Sequence, residues 1–188
     1  MSRYRSAILG ALLLGLAAGA VAQSPLEKQL AGALGARNDK LDPDKTKRKP
    51  EWKLAHYSKT PRKGCAITYY AGEQAVSYIG PSDNINEAFV SVTSSAIPNI
   101  EKPNIVKVTL SADGEPDRIV PATHLTINGL DQGLILFLLP NIESALETMQ
   151  DVAGVRVVLD KKPVINLRWE GGHAARDKMR ACLAGTAI

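Results

Sequence analysis

The sequence predicts an α+β domain, mostly antiparallel β: a sandwich-like sheet with an N-terminal helix and two late helices. Three observations predict it. From Cys65 onward, short apolar runs alternate with period two and are separated by Gly, Pro, Asp and Ser. After Pro140, and again after Gly172, the apolar spacing becomes helical. Ahead of the strands, Ser24-Pro25-Leu26-Glu27 carries the marks of a helix start. A run of strands followed by helices belongs to the α+β class.

Residues 1–22 read as a cleavable signal peptide. Arg3 and Arg5 are the positive n-region, residues 7–16 are rich in Leu and Ala, and Ala20-Val21-Ala22 offers small residues to a signal peptidase. Cleavage is expected between Ala22 and Gln23. The uncharged stretch 6–22 is shorter than the ~20 residues of a spanning helix. No Cys lies near the cleavage point and no adjacent Arg pair precedes it, so neither a lipid anchor nor a twin-arginine route is expected. No later segment is long and apolar enough to span a bilayer. The expected location is therefore periplasmic or secreted.

Residues 23–36 form the predicted amphipathic helix. Ser24 caps, Pro25 takes the first turn and Glu27 completes a capping box. Leu26, Leu30, Ala33 and Leu34 share one face, which must bury on the domain, a partner or a membrane surface. Residues 37–63 read as a basic linker, with Lys45-Thr46-Lys47-Arg48-Lys49 at its centre. Trp52, Leu54 and Tyr57 interrupt it, and part of it can pack as an edge strand. Residues 64–188 are the β-rich domain.

Charge follows this division. The chain carries 23 Lys and Arg against 19 Asp and Glu, a net of +4. Residues 23–63 hold 11 basic against 5 acidic residues, while residues 64–188 hold 10 against 14. A basic stretch with aromatics can bind nucleic acid. Export makes a solvated linker the expected reading, with no nucleic-acid partner.

Within the β-rich domain, Cys65-Ala66-Ile67-Thr68-Tyr69-Tyr70 and Ala75-Val76-Ser77-Tyr78-Ile79 read as a hairpin around a turn at 71–74. Residues 88–93 are the next strand, and Val106, Val108 and Leu110 alternate inward in another. Residues 118–120 and 124–127 read as two short pieces on either side of Pro121, which marks an edge or a bend. Residues 133–139 are the most apolar run and the candidate for a central strand buried on both faces. Pro140-Asn141 opens a helix carrying Ile142, Ala145, Leu146 and Met149, in a segment ending at Gly154. Residues 155–159 and 164–169 flank a predicted four-residue hairpin loop, Asp160-Lys161-Lys162-Pro163. The last helix presents Ala175, Met179, Cys182 and Leu183 on one face.

Cys65 and Cys182 are the two cysteines of the chain. An even pair in an exported chain is a disulfide candidate. It would clasp the first strand of the domain to the last helix.

Motifs for catalysis are sparse. There is no GxSxG, SxxK, Walker or HExxH pattern, and no cofactor or metal site is expected. His56, His124 and His173 lack metal-ligand spacing, although Glu170 and His173 lie close in sequence. Ser91, His124 and Asp131 could be assembled into a triad on paper only. Asp113, Glu115 and Asp117 could hold Ca²⁺, but a solvated turn fits them better. Gly171-Gly172 ahead of a helix could bind an anion, or simply turn a corner. Tyr69, Tyr70 and Tyr78 on the first hairpin could offer a binding surface.

The layout resembles a known family. A Trp shortly before a Cys opens a β-rich domain, and a hairpin leads to Asn166-Leu167-Arg168-Trp169-Glu170-Gly171-Gly172 and a helix ending Ala181-Cys182-Leu183. Over residues 150–184, about a fifth of the chain, this is similar to exported α-proteobacterial proteins of the invasion-associated locus B family. The resemblance implies a periplasmic β-sandwich-like protein with no established catalytic residues. The expected role is non-enzymatic, binding an unknown protein or envelope component. The alternatives are a hydrolase using His124 or His173, and an inhibitor or accessory subunit docking through the helix or the basic segment.

Overall fold

A computed structural model describes residues 24–34, 49–60, 62–127 and 132–186. The predicted signal peptide and its expected cleavage point lie outside them, as does most of the basic run. In chain order the elements are α1 (Pro25–Ala33), β1 (Glu51–His56), β2 (Cys65–Ala71), β3 (Gln74–Ile79) and β4 (Ala88–Thr93). Then come β5 (Asn104–Ala112), β6 (Arg118–Thr126), β7 (Gly133–Leu139), α2 (Ile142–Thr148), β8 (Ala153–Leu159), β9 (Lys162–Trp169) and α3 (Gly172–Ala184). The strands form one sheet in the order β1-β2-β3-β4-β7-β6-β5-β8-β9, and every described pair is antiparallel. The α+β, mostly antiparallel fold class is therefore the one observed.

The sheet curls on itself. Trp52 of edge strand β1 meets Trp169 of edge strand β9 edge-on, with ring centroids 6.0 Å apart, and Tyr69 lies 5.1 Å from Trp52. Both indoles find acceptors: Trp52 Nε1 donates to the Glu170 carbonyl at 2.8 Å and Trp169 Nε1 to that of Gln150 at 3.2 Å. The Asn166 backbone N–H of β9 donates to Gln74 Oε1 at 2.9 Å. Side chains thus close the seam, and cover part of two strand edges that would otherwise invite pairing. Inside the curl, Val76, Val92, Val108, Ile135, Val157, Ile165 and Leu167 form the main core.

Two smaller cores tie the helices on. α1 lies on the outer face of the sheet, where Leu30, Ala33 and Leu34 pack with Ala66, Ile79, Phe89, Leu134 and Leu136. Its capping box is formed: Glu27 N–H donates to Ser24 Oγ at 3.2 Å, and Ser24 N–H to Glu27 Oε2 at 2.8 Å. Buried Gln29 pins the helix down, donating to the Gly80 carbonyl at 3.1 Å and accepting from Ser82 Oγ at 3.0 Å. The helix stops at Ala33 with Leu34 as its C-cap, short of the predicted Ala36. The third core joins α2 and α3 to β2 through Ile142, Leu146, Met149, Ala175 and Met179 around Cys65, Ile67 and Cys182.

Several strands differ from their sequence reading. Glu51–His56, inside the stretch read as linker, is β1, so the part marked by Trp52 and Leu54 does pack as the edge strand. β6 is continuous through Pro121, which pairs with Lys107 of β5. β7 pairs with β6 only from Thr123 to Thr126, so the missing N–H of Pro121 falls where β6 has a single paired neighbour. β7 is central in the sheet but not buried throughout: residues 133–136 are buried, while Leu138 is 68% exposed.

The predicted four-residue loop is a two-residue turn, with Leu159 paired to Lys162. Asp160 and Lys161 adopt φ of 49° and 65°, the hand that matches strand twist in a tight hairpin. Pro163 lies on an edge strand beside a bulge, where a missing donor is tolerated. Gly154 belongs to β8, and α2 ends earlier, at Thr148.

Candidate functional site

Cys65 and Cys182 form a disulfide with Cα atoms 6.1 Å apart and a sequence separation of 117. β2 supplies the first sulfur. The buried face of α3, Ala175, Met179 and Cys182, supplies the second. Both cysteines are buried, while His56, directly opposite Cys65 in the β1–β2 register, is exposed. Ligand atoms of His56, Cys65 and Cys182 all lie within 4.8 Å of one another. Asp83 stands nearby, its carboxyl held below the usual range by hydrogen bonds from Ser58 and Thr60, with Lys63 and His56 adding to the effect.

A second feature lies on the far flank. An open groove of about 440 Å³ crosses the outer face of β5, β8 and β9. One cross-strand row along it is Ser111, Arg156 and Asn166. The next is Asp113, Gly154 and Arg168. Here Asp113 N–H donates to the Gly154 carbonyl and Arg168 bridges back to Asp113 at 2.5 Å. Gly154 makes this bridge possible, since a Cβ there would stand 2.9 Å from Asp113 Oδ1. Ser111 Oγ donates to Asp117 at 2.6 Å. Among the described residues, no side chain pairs with the exposed Arg156 guanidinium. It stands between two hydrogen-bonding side chains with its fork of donors free for a carboxylate or phosphate.

Other sequence candidates resolve into structural roles. Ser91 and His124 point to opposite faces of the sheet, since Ser91 shares a cross-strand row with Leu136 and Thr123, while His124 is the next residue on β6. Asp131 lies outside the described residues. His124 is buried with Nε2 2.9 Å from the Pro98 carbonyl. A carbonyl only accepts, so Nε2 carries the proton there, and the ring holds the β4–β5 connection in place. Ser91 Oγ is buried without a partner, beside the Thr68–Ser77 hydroxyl pair bonded at 2.8 Å.

The acidic trio is dispersed among its own partners: Asp113 to Arg168, Glu115 to Arg118, Asp117 to Ser111. Gly171-Gly172 is a corner at which two successive N–H groups of the helix start are already used. Gly172 N–H donates to the Asp151 carbonyl at 2.9 Å and His173 N–H to Asp151 Oδ1 at 3.1 Å. The chain's own acid occupies the helix N-terminus. A Cβ at Gly172 would meet the Gln150 carbonyl at 2.1 Å, which is why glycine stands there. Of the three tyrosines, Tyr69 and Tyr78 face inward, and burial pushes Tyr69 up and Tyr78 up to about 12. Tyr70 faces outward beneath Lys53, whose Nζ is 5.9 Å from the ring centroid.

Comparison with protein families, with curated proteins and with solved structures finds no match. No helix among the described residues is long and apolar enough to cross a membrane.

Sequence reasoning missed the groove and the His56 cluster. The alternation of residues 155–159 already turns Arg156 away from the core. Its neighbours come from β5, more than forty residues earlier, and no local pattern signals that pairing. Residues 56, 65 and 182 likewise match no metal-ligand spacing.

Proposed function

We propose that this chain is an exported, periplasmic or secreted, non-enzymatic binding protein that recognises an anionic group on a protein or envelope component. The observation that carries the reading is the Cys65–Cys182 disulfide. It closes a long loop, buries both sulfurs, and belongs to oxidising compartments. The signal-like residues 1–22 point the same way. So does the similarity of residues 150–184 to the invasion-associated locus B proteins.

Binding is assigned to the β5–β8–β9 groove, where Arg156 is a bidentate donor without a partner among the described residues. Docking through α1 is disfavoured, because its apolar face is spent on the sheet.

Two measurements test this. Cell fractionation with N-terminal sequencing should find a chain beginning at Gln23 outside the cytoplasm, with no free thiol; a full-length cytoplasmic chain with two free thiols would overturn the export reading. Calorimetric titration with inorganic phosphate and with a short poly-glutamate peptide addresses the groove. At least one should bind saturably, and Arg156→Ala should weaken it by about tenfold or more, as expected for loss of a charge-assisted pair. Equal binding by the variant, or binding of neither probe, removes the groove from the proposal.

A further inference from the structure

We propose that the reduced form of this chain is a metal-binding protein, holding an ion of the zinc type between Cys65, Cys182 and His56. The strand pairing sets His56 beside Cys65, and the buried face of α3 brings Cys182 to both. Zinc takes thiolate sulfur at ~2.3 Å and imidazole nitrogen at ~2.0–2.1 Å, so ligand atoms around one ion stand roughly 3.5–3.8 Å apart. The three ligand atoms already lie within 4.8 Å of one another. Rotation of two cysteine side chains away from bonding distance is the main adjustment required.

The donor set fits the assignment. Two thiolates and an imidazole suit zinc, whereas Mg²⁺ and Ca²⁺ prefer oxygen. The sulfurs are buried and His56 is exposed, so the ion would enter from the solvent side and keep its fourth position for water.

The fold supports the site without the disulfide. Met179, Ala175, Leu146, Met149 and Ile67 hold α3 against β2 by apolar packing. Arg62 Nε also donates to the Ala184 carbonyl at 3.1 Å, securing the end of the helix. The helix therefore has reasons to stay docked when the Sγ–Sγ bond is open.

The oxidised and metal-bound forms exclude each other, because both use the same two sulfurs. An external dithiol delivers two electrons and two protons to the Sγ–Sγ bond; the bond breaks, two thiols form, and the dithiol becomes a disulfide. Metal binding then releases both thiol protons. A disulfide-donating oxidant later removes two electrons, remakes the Sγ–Sγ bond and expels the ion. This inference does not depend on export or on the groove.

The test uses the full chain, reduced with a phosphine and freed of oxygen, with Co²⁺ as the spectroscopic probe and Zn²⁺ as its competitor. The expected result is one equivalent of Co²⁺ bound with thiolate charge-transfer absorption, displaced by Zn²⁺, while the oxidised protein binds none. His56→Ala should weaken affinity by about tenfold or more, with His56→Gln as a second exposed-site variant, and Cys182→Ser should remove the charge-transfer band. Zn²⁺ should also slow reoxidation of the wild-type thiols. Equal binding by oxidised and reduced protein would overturn the proposal. So would wild-type affinity in both His56 variants, or a reduced chain that loses its near-ultraviolet circular dichroism and binds no ion.

Discussion

On the β1–β4 flank the sheet is covered on both faces at one end: α1 lies outside, while α2, α3 and the disulfide close the inside. On the β5–β6 flank the inner face packs into the main core; on the outer face the Leu125 end of β6 joins the cluster under α1, while the rest has no helix over it among the described residues. Ile105 and Ile119 stand there 73% and 74% exposed, with Leu138 of β7 alongside, and the Arg156 groove lies further out. Both flanks are built from alternating strands of similar composition. What differs is whether a helix reaches them, and α1 is only nine residues long. At 1.5 Å per residue it spans about 14 Å, too little to cross a nine-stranded sheet. The covered flank can therefore carry the clasp and the buried hydroxyls of Thr68, Ser77 and Ser91. The bare flank is left to present charge and aliphatic surface to solvent.

The largest difference between the two flanks is the clasp. Replacing both cysteines by alanine should cost about 4–5 kcal/mol in urea unfolding, if loop closure in the unfolded chain is the main effect. A loss below about 1 kcal/mol would mean that helix packing alone secures this flank.

A matched pair of truncations sharpens the contrast. Leu30→Ala removes a fully buried side chain under α1 and should cost roughly 3 kcal/mol. Ile119→Ala on the bare flank should stay within about 0.5 kcal/mol. Equal costs in the two variants would show that the bare face is covered in solution.

The third test is alkaline titration. Burial lifts Tyr78 to about 12 in the folded chain, against about 10 when unfolded. Above pH 10 the unfolded state loses this proton first, so it binds fewer protons than the folded state. The stability held below pH 10 should therefore fall as pH rises towards 12, by about 2–3 kcal/mol for this group. Tyr57 behaves alike: burial is the main cause of a value of about 12, Asp83 raises it further, and its hydrogen bond with Gln29 partly offsets the rise. In Tyr78→Phe, denaturant midpoints measured from pH 9 to 12 should decline less steeply; an unchanged decline would assign the effect elsewhere.

The degree to which the fold was legible differs between elements. The Ser24–Glu27 box and the helical face of α3 could be read because capping and 3.6-residue spacing are local. The hairpin turn was misjudged because Lys162 and Pro163 look like loop residues, whereas the positive φ of Asp160 and Lys161 tightens the turn to two. The disulfide was legible from the cysteine count together with the expected export. The triad failed because Ser91 and His124 face opposite ways, which depends on the β4–β7–β6 register.

By itself the sequence determined most of the strands from β2 onward, the three helices, the capped start of α1 and the pairing of its two cysteines. Each follows from chemistry within a few residues, or from a pair that has no other partner. The tertiary structure alone decided that β7 enters between β4 and β6 and that β5 pairs with β8. It also decided that α1 turns its apolar face onto the sheet, that Arg156 is left open, and that His56 stands beside the disulfide. These outcomes depend on which faces bury one another across tens of residues. Burial is a competition among all the apolar surfaces of the chain, and local periodicity states only the candidates.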